Sequence, residues 1–361
     1  MRSPPCPESE GSGHYLLHGI RRPACIDLRA GRLGTYGRLV SHLFPPLSWQ
    51  GSTSDLLESD VVCAGKGTKH LPRYHQSTPD TVWDNYGFTQ EQLATGDFNP
   101  QMFNSFLDGT KSALEMAAVA NGCHLKPPSN GLEFPPCGTH HLPTVLRPRE
   151  HGGHLEHKGT VEVVSSLEVD GRDVANDIRF GVFVVIEAPG QYQKDCFAQY
   201  GLKTDSTGWY AAQSKPYHLI GLELGVSVAS IMLRGEPTGQ TKTWAGDVVA
   251  TAKRDLRAGE KLDGEGGFTV YGKLVPAEES LRIEGLPIGL AHGFTLKRDV
   301  KQGEGLSWQD VEFDEKSQAV KIRREMEDTY RTEFGTKQQP GTNGANGVNG
   351  SHGAAVAGVP G

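Results

Sequence analysis

Four polar residues at regular spacing, and two lysines set among glycines, are where this chain could carry out chemistry. Asn104, Asp108, Lys111 and Glu115 follow one another at offsets of four, seven and eleven residues from the first. On a continuous helix those offsets bring all four side chains onto one stripe. Upstream, the apolar run Val61 to Ala64 leads into Gly65-Lys66-Gly67-Thr68-Lys69, where glycine permits close backbone approach. Ammonium and carboxylate groups held at a strand end and on a helix face suit the polarisation of a carbonyl oxygen and the movement of a proton. The plainer reading is a solvated helix face with ion pairs of about 0.2–0.5 kcal/mol each. Gly109 favours the functional reading, because an interior glycine costs about 1 kcal/mol relative to alanine and signals a close approach.

The elements that must position these groups follow from local patterns. Asn99 suits a helix N-cap and Pro100 the first helical position, which predicts one amphipathic helix from there to about Gly122. Met102, Phe106, Ala113, Ala117 and Ala120 would form its apolar face. Val61 to Ala64, Gly159 to Val164 and Phe180 to Ile186 read as strands. Together they predict an α+β fold with a central α/β catalytic domain over residues 61–245. The decapeptide Lys253 to Leu262 returns as Lys297 to Leu306, each copy turning at a Gly-Glu step, so residues 246–330 should form a β-rich module of short strands and tight turns. Beyond about Arg331 the Gly, Asn and Ala-rich composition predicts a disordered tail over 331–361.

Composition narrows the class. The 361 residues carry a formal charge of -7, with 36% hydrophobic and 22% charged residues, which argues against nucleic-acid binding. The basic cluster Lys321 to Arg324 reads as a solvated helix face. No apolar run approaches a membrane span, so a soluble, cytoplasmic protein is expected. Six dispersed cysteines favour free thiols. His151, His154 and His157 read as loop histidines, and no metal is expected. Asp80 reads as a turn or helix cap, and Lys158 and Glu162 as cross-strand partners. His218 reads as a histidine at the end of an element. Near the start, Cys25 to Leu28 followed by Gly31, Gly34 and Gly37 has the outline of a phosphate-binding turn, with Gly-x-x-Gly-x-x-Gly spacing.

Four segments, Val62 to Lys69, Ser77 to Trp83, Asn99 to Lys111 and His157 to Ser166, resemble the homoserine-dehydrogenase-like oxidoreductases that end in a SAF domain. That group includes proteins described as 1-deoxy-D-xylulose 5-phosphate reductoisomerase-like, and the resemblance spans about Val61 to Glu327. It implies an N-terminal Rossmann domain for NAD or NADP, a central catalytic and oligomerisation domain, and a C-terminal SAF domain of β-clip type. A full doubly wound domain usually needs over about a hundred residues, so residues 1–60 are expected to be a shortened or remnant nucleotide-binding region. The resemblance places Lys66 at a strand end near the nicotinamide, and Asp108 and Lys111 as the acid and lysine of the substrate-domain helix.

The expected function is hydride transfer between NAD or NADP and a small polar hydroxy or keto compound, phosphorylated or not. Lys66 or Lys111 would polarise the carbonyl oxygen and Asp108 would orient the lysine. Lys69, Asn104 and Glu115 would bind substrate, and Gly65 and Gly67 would lie against the cofactor. The expected partners are a small-molecule substrate and further copies of the chain, with no nucleic acid and no membrane. The rival expectation is a non-redox protein that binds a ligand or a partner subunit.

Overall fold

The computed structural model of the chain describes residues 61–337 apart from 220–221, 236–238, 240 and 242. The expected remnant nucleotide-binding region and the end of the expected tail, from 338 on, lie outside the described residues.

A five-stranded sheet forms the first half. Strand β1 (Val61–Thr68) is followed by short helices α1 (Val82–Tyr86) and α2 (Gln90–Ala94), then α3 (Pro100–Leu107), α4 (Thr110–Cys123) and α5 (Leu142–Val145). The chain then lays down β2 (Thr160–Ser165), β3 (Val182–Glu187), helix α6 (Gln191–Gln199), β4 (Lys203–Thr204) and β5 (Tyr210–Lys215). The strand order is β2-β1-β3-β5-β4. β1 and β2 are parallel, as their long helical crossover requires, and the other pairs are antiparallel.

All three leading strands are Val-rich and buried on both faces, the pattern of a central sheet. Ala64, Val161, Val163 and Val184 pack on the side of α4 with Ala113, Met116 and Ala120. Val62, Cys63, Phe183 and Val185 pack on the other side with Leu142 and Leu146. Each such large apolar side chain contributes about 1.5–3 kcal/mol by leaving water.

The single helix expected from Asn99 is broken in two. Asn99 does cap α3, its side chain accepting from the Met102 amide at 3.1 Å. The chain then leaves the helix at Asp108, and Gly109 adopts φ 88°, a left-handed conformation suited to glycine. A Cβ there would lie 3.2 Å from His75 Cε1 and 3.4 Å from Phe134 Cζ. Asp108 Oδ1 accepts from the Thr110 amide at 2.9 Å and starts α4 in a new direction. Burial extends to both expected faces: Ala113, Ala117 and Ala120 are buried, and so are Asn104, Asp108 and Glu115, while Met102 is largely exposed.

After α7 (Leu224–Arg234) the second half pairs β6 (Gly246–Ala252) with β7 (Val270–Pro276), followed by α8 (Ala277–Arg282), the short pair β8 (Thr295–Leu296) and β9 (Val311–Glu312), and α9 (Gln318–Lys337). The two repeat copies pair with each other, Leu256 and Val300 exchanging amide-to-carbonyl bonds of 2.8 and 3.0 Å. They form turns and isolated bridges in place of the regular strands expected. Helix α9 continues through residues 331–337, so the start of the expected tail is helical. Arg323, expected to be solvated, is buried over Trp244 and paired with Asp247 at 2.5 Å and Glu327 at 2.7 Å. One apolar cluster runs from the first sheet through α4 into β6 and β7, so α4 is a wall common to both halves.

Candidate active site

Alternation along β1 decides which of its residues reach α4. Ala64 and Lys66 face that helix, whereas Gly65 and Gly67 face the other way. Lys66 Nζ donates to Glu115 Oε2 at 2.6 Å, with side-chain exposures of 7% and 5%. At such burial the two charges form an interior ion pair, the kind whose breaking typically costs about 3–5 kcal/mol.

The two glycines expected beside a cofactor are used differently. A Cβ on Gly65 would stand 1.8 Å from the Glu162 carbonyl oxygen, and one on Gly67 would stand 2.0 Å from that of Ile178. Their missing side chains are filled by the protein's own backbone, so close packing around the strand, not a dinucleotide, accounts for glycine there.

The expected stripe divides because the break at Gly109 turns its members toward different partners. Asp108 Oδ2 lies 2.8 Å from Lys253 Nζ, a charge contact without good hydrogen-bond alignment. Lys253 also donates to the carbonyl oxygens of Ser77 at 2.8 Å and Gly267 at 2.7 Å. Asn104 accepts from Ser77 Oγ at 2.6 Å and donates to the carbonyl oxygens of Ser77 and Gly266. Lys111 pairs with Glu265 at 3.1 Å, and Gln101 donates to the carbonyl oxygens of Asp263 and Glu265. Two residues expected to handle substrate, Asn104 and Lys111, thus grip the turn at residues 263–267 directly. Lys69 does not join Lys66 either: it donates to the Asn85 carbonyl oxygen at 2.6 Å, and burial followed by the Arg179 charge lowers its pKa.

Sequence reasoning passed over His75. Its Nδ1 lies 2.8 Å from the Asp108 carbonyl oxygen, which can only accept, so Nδ1 carries the proton. Burial lowers the His75 pKa despite that bond, and burial together with the His75 charge pushes His70 down to about 3. His75 stacks on Tyr271 with ring centroids 4.5 Å apart, and both line a cavity of about 200 Å³ together with Gly109, Phe134 and Lys273.

Other expectations change as well. Glu162 is fully buried and accepts from the amides of Glu133, Phe134 and Val163; burial raises its pKa to about 8 against the pull of those donors. Lys158 pairs with Glu187, not Glu162. His151 meets Tyr210, His154 meets Glu133 and His157 meets the Lys158 carbonyl oxygen, so the loop histidines turn to separate partners. Lys253 was visible as the first residue of the repeat, but nothing in the repeat separates it from Lys297.

The chain was compared with known proteins. Residues 54–224 match the family described as oxidoreductase DRL, catalytic domain. Residues 247–312 match the SAF domain. No curated protein matches the chain. Lys66, His75, Asp108, Lys111 and Glu115 fall within the first match, and Lys253 and Glu265 within the second. The segment similar to an oxidoreductase catalytic domain is thus followed by one similar to a SAF domain, and the Asp108 to Lys253 contact joins the two segments.

Proposed function

We propose that this chain is an oxidoreductase of the homoserine-dehydrogenase-like group, acting with NAD or NADP on a small polar hydroxy or keto compound, phosphorylated or not. One observation carries the reading: a buried ammonium at the end of a central strand, 2.6 Å from its carboxylate, within the segment that matches an oxidoreductase catalytic domain. When bound, a nicotinamide supplies or accepts hydride. Gly65 and Gly67, expected to lie against the dinucleotide, are packed by backbone and do not contribute to holding it. The roles of this chain's residues therefore concern the reacting oxygen alone.

Lys66 Nζ donates to the substrate's carbonyl oxygen and stabilises the negative charge that grows on it. Glu115, 2.6 Å away, holds that ammonium in place. Asp108 and Lys111, engaged by Lys253 and Glu265, hold the two domains in register and do not touch substrate. The reading also includes self-association and a cytoplasmic location. Met232 and Leu233 on α7 are 73% and 83% exposed and offer an apolar face to a second copy. No helix among the described residues is long and apolar enough to cross a membrane.

The test mixes the full chain with NADH or NADPH and a panel of small keto acids and keto phosphates, following absorbance of the reduced nicotinamide. Lys66→Met should lower kcat by about 10²–10³ per folded molecule, the folded fraction being read by circular dichroism. Turnover equal to the parent's would remove Lys66 from the chemistry. Absence of nicotinamide binding at millimolar concentration would favour the rival non-redox ligand-binding protein.

A further inference from the structure

A concave site lies where the segment matching the catalytic domain meets the β6–β7 hairpin. It is lined by His75, Gly109, Asn130, Phe134, Tyr271 and Lys273. Ala113 of α4 also borders it, whereas Glu115, two residues and about 200° further round the helix, faces β1. The cavity is therefore separate from the Lys66–Glu115 pair.

Its polar groups are unmatched. Among the described residues, neither the Lys273 ammonium, the Tyr271 hydroxyl nor His75 Nε2 has a protein partner. With Nδ1 donating to the Asp108 carbonyl oxygen, Nε2 is left as an acceptor. The Lys273 stem is held against Gly131, where a Cβ would lie 3.2 Å from Lys273 Cε, so the ammonium is confined near the opening. Of the carboxylates behind the wall, Asp108 is already countered by Lys253 and Glu162 accepts from the amides of Glu133, Phe134 and Val163. The cavity thus presents one free positive charge, one acceptor and one hydroxyl beside an aromatic wall. At about 200 Å³ it is smaller than the roughly 300–1,000 Å³ of drug-sized sites, which sets the scale of its occupant.

We propose that this cavity binds a small hydroxylated anion, its carboxylate or phosphate on Lys273 and a hydroxyl donating to His75 Nε2. Charge complementarity supplies the affinity and the His75 acceptor supplies the preference for a hydroxyl. Aliphatic acids without a hydroxyl leave Nε2 unsatisfied, and neutral polyols leave Lys273 unpaired.

Isothermal titration of the full chain with D-glycerate and with sn-glycerol 3-phosphate tests this, with propanoate and glycerol as controls. At least one of the two hydroxylated anions should bind about tenfold more tightly than either control, which corresponds to about 1.4 kcal/mol. The one that binds identifies the anion. Lys273→Met should weaken it about tenfold and Lys273→Arg should restore it. His75→Asn, which retains a donor toward the Asp108 carbonyl oxygen but removes Nε2, should erase the preference over propanoate. Lys66→Met should leave this binding unchanged whatever it does to turnover, which separates the two sites. Binding of neither anion at about 10 mM, or parental affinity in a folded Lys273→Met variant, overturns the proposal.

Discussion

The two copies of the repeated decapeptide share a set of turn charges, while the lysine that opens each is placed differently. Arg254 pairs with Glu260 at 2.8 Å and Arg298 with Glu304 at 2.6 Å. Arg257 reaches Asp299 at 2.7 Å, and its counterpart Lys301 reaches Asp255 at 2.9 Å. Gly259 and Gly303 turn with φ 85° and 80°. Yet Lys253 is buried against Asp108 while Lys297 is exposed. A sequence repeat therefore specifies a turn and its surface charges, and a neighbour outside the repeat decides which copy acquires an interior role.

The sharpest way to break this comparison is to remove each lysine in turn. Lys253→Met strands the Asp108 carboxylate in the interior and should cost about 3–5 kcal/mol. Lys297→Met should stay within about 0.5 kcal/mol of the parent. Urea unfolding of the two variants measures both, and equal losses would mean that Lys253 has no special place. The glycines should behave alike. Gly259→Ala and Gly303→Ala each place a side chain at positive φ with open space around it, so each should cost about 1–2 kcal/mol through backbone strain alone. Unequal melting temperatures would show that the copies differ in more than the lysine.

The smallest effect concerns acid. The Lys301 side chain, then the Gln302 amide, lowers the pKa of Asp255; the Ala258 amide, then Arg257, lowers that of Asp299. A carboxylate with a depressed folded pKa stabilises above its unfolded pKa of about 3.9, and that share is lost as pH falls through the folded value. Melting temperature against pH should show a small acid-side decline, shallower in Asp255→Asn and Asp299→Asn and weaker in high salt. A decline of the same steepness in both variants would assign the acid response to other groups.

Much of this was legible from residue order. The Val-rich runs of β1, β2 and β3 and the Asn99-Pro100 helix start needed only local rules, and Gly109 did mark a close approach. Its meaning was misread, because the same glycine that admits His75 and Phe134 also ends a helix and redirects everything after it. Helical spacing cannot report such a break, so Asn104, Asp108, Lys111 and Glu115 appeared as one stripe when they serve two separate purposes. Lys253 and Glu265 lie 145 and 154 residues from their partners Asp108 and Lys111, beyond the reach of any local pattern. Lys66 was found because a lysine between glycines at the end of an apolar strand is conspicuous, although those glycines proved to answer to packing.

Arg323 has a consequence for where the second domain ends. Its guanidinium fills the space between Asp247, at the beginning of β6, and Glu327 on α9, while the SAF match stops at residue 312. A fragment trimmed to that boundary would keep Asp247 and discard both its counterion and the helix that carries it. The last helix is the keystone of that domain, and an excised module must include it to stand alone.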